Sequence, residues 1–219
     1  MLLAISSFFV LFNFLQAVFA QDWYTVEWDA TEFVSMSGDM IVPDLPTPGG
    51  TPYVWPGVQS GNGVLQAVLD GSSGVWWIGD GFYGTPSLPW GNGFNVNPGD
   101  TVHFTFTSAS FLFPSGTTWT CTLSSGGQSA STTLDITGST MNRFVETTFL
   151  FAIFAVELYS VDFNFGPITY KNIEITATTA ASSWCGSTPH LGTYPFTVTG
   201  NVASGNTCAV SEIVQNSAD

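Results

Sequence analysis

Basic side chains are almost absent from this sequence. Arg143 and Lys171 stand alone against sixteen acids, for a formal net charge of −14 at pH 7 and a sequence pI near 4.1. Gripping a phosphate backbone needs clustered Lys and Arg, so nucleic acid is excluded as a partner, and anionic membrane surfaces with it. The same scarcity limits ion pairing. Acid unfolding comes largely from protonating carboxylates that are ion-paired in the native state, aided by repulsion among the remaining cations. Few carboxylates here can be paired, so the sequence predicts a protein suited to an acidic exterior.

Histidine and cysteine are also sparse. His103 and His190 are too few and too scattered to build a metal cage with three cysteines, and no metal or cofactor is expected. In an oxidising compartment Cys185 and Cys208 could close a loop over the C-terminal segment. Cys121, inside the alternating TWTCTL run, reads as a buried thiol. No Asn-x-Ser/Thr glycosylation sequon exists. GDGFYG (79–84) fits G-x-G-x-x-G, but TPSLPWGNG follows it where a dinucleotide site would open a helix. There is no G-x-S-x-G elbow, and Glu157 and Asp162 in VELYSVD lack the spacing of a glycosidase carboxylate strand.

What is present is aromatic and extended. Met1–Ala20, MLLAISSFFVLFNFLQAVFA, reads as a secretory signal with small residues at its end. The expectation is a secreted, extracellular chain that stays off the membrane once cleaved. No amphipathic helical stretch stands out after it. Short runs rich in Val, Ile, Thr, Phe, Tyr and Trp recur instead: 24–28, 53–58, GVLQAVLD (63–70), 75–78, TVHFTFTS (101–108), 117–123, 129–136, TFLFAIFAVELYSV (148–161), ITYKNIEITA (168–177) and 194–200. Asn62-Gly63, Pro98-Gly99-Asp100, Ser125-Gly126-Gly127 and Gly166-Pro167 punctuate them. Many short strands without intervening helices predict an all-β fold, an antiparallel two-sheet β-sandwich of jelly-roll type. TFLFAIFAVELYSV, broken by Glu157 and too short to span a membrane, reads as a central strand buried on both faces. One β-sandwich domain is expected over residues 21–202, with 85–97 as a loop and 203–219 as a polar tail.

Gln66 sits in the middle of GVLQAVLD, a strand otherwise built for burial. A buried amide without partners costs ~1–3 kcal/mol, so Gln66 is either satisfied in the core or held at the floor of a cleft. The stretches VWPGVQSGNGVLQAVLDG, VWWIGDGFYG, VNPGDTVHFTFTS and FAVELYSVDFNFGPITYKNIEIT together resemble the eqolisins, secreted fungal glutamic peptidases, in the same order over most of 50–178. GVLQAVLD resembles the family's I-L-Q-T-G-V-D strand. The resemblance implies a bent sandwich of two antiparallel sheets, similar to that of concanavalin-type lectins and glucanases, and cleavage of peptides at acidic pH by a Gln–Glu dyad. In such a dyad the carboxyl group is general base and then acid, and the amide, which does not titrate, stabilises the oxyanion.

On that resemblance Gln66 is the oxyanion residue, partnered by Glu157 or Glu146. Laying IFAVELY on the family's E-W-I-V-E-D-F strand sets Ile153 at the catalytic position and Glu157 at a second, non-catalytic one. RFVETTF sets Glu146 at that second position and Asn142 at the first, whereas a looser placement makes Glu146 itself catalytic. Two further cleft acids are replaced, by Ile78 and Gln59. Trp55, Trp76, Trp77, Trp90 and Gln59 are the candidate substrate-binding residues, as sugar- or peptide-stacking surfaces or as sandwich core. Two functions follow: a glutamic endopeptidase, or a non-catalytic, lectin-like relative that binds a glycan or peptide ligand in the same cleft. Either is expected to be a monomer.

Overall fold

The computed structural model describes residues 21–46, 50–60, 63–84, 88–109, 118–135, 151–188 and 190–217. Residues 1–20, expected from the sequence to be a secretory signal, and the region holding Asn142, Arg143 and Glu146 lie outside them. The chain forms two antiparallel sheets packed face to face. The first sheet contains β1 (Gln21–Asp29), β3 (Thr51–Ser60), β4 (Gly63–Asp70), β5 (Trp76–Gly84), β6 (Gly93–Val96), β10 (Phe151–Tyr159) and β12 (His190–Leu191), in the order β12-β1-β10-β3-β4-β5-β6. The second contains β2 (Phe33–Ile41), β7 (Thr101–Ser108), β8 (Thr118–Ser125), β9 (Gln128–Asp135), β11 (Ile168–Ala177), β13 (Phe196–Thr199) and β15 (Thr207–Gln215), ordered β13-β15-β11-β2-β7-β8-β9. A short β14 (Val202–Ser204) pairs with β15.

Strand alternation explains the layering, because successive side chains point to opposite faces. In β7, Val102, Phe104 and Phe106 are fully buried between the sheets, while Thr101 and His103 face outward. In β10, Ala152, Phe154, Val156 and Leu158 join the same inter-sheet core as Trp28, Trp76, Phe163, Phe165 and Tyr170. Each such large side chain contributes ~1.5–3 kcal/mol of burial free energy. Indole N–H groups inside this core reach backbone carbonyls: Trp28 donates to Cys185 O at 3.1 Å and Trp76 to Pro43 O at 3.0 Å.

The sequence expectation of a polar tail from Ala203 is corrected here. Thr207–Gln215 is strand β15, an interior strand of the second sheet paired along β11, with Cys208, Val210 and Ile213 in the core. A disulfide between Cys185 and Cys208 fastens it to the segment after β11, and Cys121 is a free, buried thiol. The expected loop at 85–97 also contains an edge strand, β6, paired with β5.

Among the described residues, one ionisable acid lies wholly inside. Asp80, on β5, is 0 % exposed. Neither of its oxygens makes a well-formed hydrogen bond, although Thr132 and Cys121 of the facing sheet adjoin it closely enough to temper its titration. Burial dominates and raises its pKa, and burial together with the Asp80 charge raises that of the Cys121 thiol.

Candidate ligand-binding cleft

The outward face of the first sheet carries a cleft of about 1000 Å³. Antiparallel register sets its side chains in rows that run across the strands, since directly paired residues share a face. One row reads Trp23–Glu157–Tyr53–Asp70–Trp77 across β1, β10, β3, β4 and β5. The next includes Thr25, Ala155 and Trp55. The one after reads Glu27–Ile153–Gly57–Gln66–Gly81.

The floor is apolar. Trp55, Val64, Val68, Ile153 and Ala155 form a second buried cluster on this face, with Tyr53 packed against it. This is why β10, whose other face fills the core, is buried on both sides. The walls are aromatic: Trp23, Trp55, Trp77 and Trp90 line the cleft with Tyr53, Tyr83 and Tyr159. Two of these rings depend on missing side chains. A Cβ on Gly81 would strike the Trp90 indole at 2.7 Å, and one on Gly79 or Gly93 would collide with the indole of Trp77.

Polar groups are few and fixed. Glu157 Oε1 accepts the Tyr159 hydroxyl at 2.6 Å, and its Oε2 accepts the Trp55 indole N–H at 3.2 Å. Burial, then the hydrogen bond to Glu157 and its charge, pushes the Tyr159 phenol well above its ordinary pKa. Burial and the charges of Asp70 and Glu157 raise Tyr53 likewise. Asp70 Oδ1 accepts the Ser72 backbone N–H at 2.8 Å. Gln66 lines the cleft at 6 % exposure, and its Oε1 is buried without a hydrogen-bond partner among the described residues. An orphaned amide oxygen of this kind costs ~1–3 kcal/mol.

Five of the expected residues meet in this cleft: Gln66, Glu157, Trp55, Trp77 and Trp90. Trp76 does not. It is 0 % exposed and belongs to the inter-sheet core, because it is one step out of phase with Trp77 along β5. Ile78 also faces the core, so the side chains of β5 that enter the cleft are Trp77 and Tyr83. Gln59 shares the outward face but lies beyond the cleft lining, paired with Phe151 and Val64. Glu146 lies outside the described residues. Gln66 and Glu157 share the cleft without meeting: two strand spacings and four residues separate them, or about 16 Å between Cα atoms.

Asp70, Trp23, Tyr53, Tyr83 and Tyr159 escaped the sequence reading. Period two held the signal for three of them, since Tyr53 shares a face with Trp55, Asp70 with Gln66 and Tyr159 with Glu157.

No protein-family model matches the sequence, and neither does any curated protein. Solved structures do match. Scytalido-glutamic peptidase with a peptide-based transition state analog aligns over 87% of this chain and 98% of its own, at 15% identity and a TM-score of 0.57. Its complex with a transition state analog inhibitor gives 16% identity and a TM-score of 0.55 over the same shares. SCP-B, a member of the Eqolisin family of peptidases in complex with the tripeptide Ala-Ile-His, gives 13% and 0.53, again over 87% and 98%.

The fold is that of the eqolisins. At such identities the likeness extends to the fold, and the site is read from this chain's own side chains. Position 153, which the IFAVELY resemblance sets at the catalytic place, faces Gln66 directly across Gly57 and holds isoleucine. Among the described residues, the carboxyl on that row is Glu27, three strands from Gln66, and Thr25 donates its hydroxyl to it.

Proposed function

We propose that this chain is a secreted, non-hydrolytic recognition protein of eqolisin fold that holds a glycan chain in its aromatic cleft. Ile153 carries this reading. A Gln–Glu mechanism needs a carboxyl within reach of both the amide and an attacking water, and the residue across Gly57 from Gln66 supplies a hydrocarbon. Glu157, about 16 Å away, lies too far to share a water with that amide.

The cleft walls favour sugar. Four indoles and three phenols offer flat faces for stacking on pyranose rings, while Gln66, Asp70 and Glu157 offer a small set of polar groups to fix orientation. The Met1–Ala20 segment and the Cys185–Cys208 disulfide support an oxidising, extracellular setting.

The test is incubation with denatured protein at about pH 3, read by mass spectrometry, beside a glycan array. Glycan binding without new peptide ends is the expected outcome. Peptide cleavage that disappears in Gln66→Ala would establish the peptidase reading instead.

A further inference from the structure

One row of the cleft changes in kind from strand to strand as it crosses the sheet: Trp23 on β1, Glu157 on β10, Tyr53 on β3, Asp70 on β4 and Trp77 on β5. Its aromatic members fall on every second strand. They recur ~9.6 Å apart at the backbone, and the row from Trp23 to Trp77 spans about 19 Å.

Each ring is held in a set orientation. Trp23 packs edge-on against Trp55, with centroids 5.6 Å apart and planes at 84°, and Tyr53 does the same against Tyr159 at 6.0 Å and 78°. The Trp77 indole lies across Gly79 of its own strand and Gly93 of β6, which pair with each other. A ring resting on two backbones has one face against the sheet and the other toward the cleft.

This spacing discriminates among polymers. An extended peptide repeats on one face every ~6.7 Å and falls out of step with rings ~9.6 Å apart. A polyproline helix repeats every ~9.3 Å and keeps step. Its prolines carry no N–H, however, and the Asp70 carboxyl between Tyr53 and Trp77 calls for a donor. A sugar chain joined through equatorial bonds runs as a ribbon with a repeat on the order of 5 Å per ring, close to the ~4.8 Å between strands. Successive rings turn over, so every second ring presents the same side, and hydroxyls line both edges. A chain joined through axial bonds coils, and its rings soon leave the line.

We infer that this row binds an equatorially linked, β-1,4-type sugar ribbon lying across the strands. The inference rests on the glycan reading above and adds the linkage and the length. Four strand spacings of ~4.8 Å hold about five rings, the first, third and fifth stacked on Trp23, Tyr53 and Trp77. The fourth lies over β4 and gives a hydroxyl to Asp70. The Oδ1 of Asp70 accepts the Ser72 backbone N–H, and a carboxylate has lone pairs for a further donor.

Calorimetry with β-1,4-linked oligomers of glucose, mannose and N-acetylglucosamine, from dimer to hexamer, tests the inference. Hexamers of α-1,4- and β-1,3-linked glucose and a proline-rich decapeptide are measured beside them. In at least one β-1,4 series, affinity is expected to rise at least about tenfold from dimer to pentamer, a ratio worth about 1.4 kcal/mol. From pentamer to hexamer it should rise less than about twofold, and the other two linkages should bind at least about tenfold more weakly than that pentamer. Trp23 is an exposed ring. Trp23→Ala, with folding checked by thermal unfolding, should weaken the pentamer about tenfold, to near the trimer, which keeps Tyr53 and Trp77. Should that variant not fold, the length and linkage series on the unaltered protein carry the test. A plateau at dimer or trimer, equal binding of the other linkages, or an unchanged pentamer in folded Trp23→Ala overturns the ribbon assignment and leaves the glycan reading standing. Binding of the decapeptide alone, or of none of the probes, overturns both.

Discussion

Ile153 and Gln66 occupy one cross-strand row with Gly57 between them. Gly57 approaches its neighbour closely, and a Cβ there would come within 2.6 Å of the Leu65 carbonyl oxygen and 3.3 Å of the Gln66 Cα. With no side chain in the middle, whatever residue 153 carries is the nearest side chain to the Gln66 amide along that row. Here it is part of an apolar floor, and the chemistry of the cleft turns on that choice.

Ile153→Glu is the direct probe of this geometry. It puts a carboxyl on the row of Gln66, so slow cleavage of denatured protein should appear at pH 2–4 and vanish again in Ile153→Glu/Gln66→Ala. The substitution also buries an acid at a site that is 3 % exposed. An unfolding series by denaturant should show a loss of about 1–3 kcal/mol at neutral pH, smaller in acid where the group is neutral. No gain of cleavage from a folded variant would show that the row lacks a catalytic layout.

Asp80 sets a pH dependence of definite sign. Burial raises its pKa above the ordinary carboxyl value near 3.9, so the folded chain favours the protonated form. Its contribution to stability is complete below the ordinary value and is lost as pH rises through the raised one. Asp39 works the other way. Burial opposes it, but the Asn172 amide at 2.8 Å and His103 at 2.9 Å prevail and lower its pKa, so its contribution fades as pH falls. That pair is exposed and screened, and the wholly buried Asp80 should dominate. Melting temperature is expected to drop between about pH 4 and pH 7, and Asp80→Asn should flatten that slope. An unchanged slope in Asp80→Asn would assign it to other groups.

The Cys185–Cys208 disulfide joins residues 23 apart in sequence. Closing a loop of that size removes unfolded-state entropy worth about 3 kcal/mol. The double variant Cys185→Ala/Cys208→Ala should unfold at a correspondingly lower denaturant concentration with an intact cleft. Reduction of the unaltered protein should give the same shift.

Strands rich in β-branched and aromatic residues were legible from residues alone. β4, β7 and β11 have the bounds their apolar runs suggest: β7 alternates cleanly, β4 is apolar on both faces, and β11 keeps enough Ile, Tyr and Thr to read as a strand although its buried positions change phase at Asn172. β15 was hidden by a break in phase: its buried positions run 208, 210, then 213, 215, with Ser211 and Glu212 between. Opposite that break, Asn172 of β11 adopts a left-handed backbone, φ 52°. β2 was masked by Ser37-Gly38-Asp39, which reads as a turn. Gly38 is there because the ring of Phe104 packs against it, 2.9 Å from where a Cβ would stand.

The cleft was legible as a face but not as rows. Period two assigns Gln66, Trp55 and Glu157 to outward positions, yet it carries no information about which residue of one strand stands beside which of another. Register between β4 and β10 is fixed by β3 and by packing on both sides. Only that register separates Gln66 from Glu157 and brings Ile153 into its row. The Trp76–Trp77 pair failed for a related reason: adjacent identical residues give no phase, and the core claimed the first.

A strand sealed above and below, as β10 is, gives the groove a floor that cannot bend to follow its guest. The conformational cost of association then falls on the ligand. Such a trough rewards stiff polymers, whose shape is already paid for, over floppy ones.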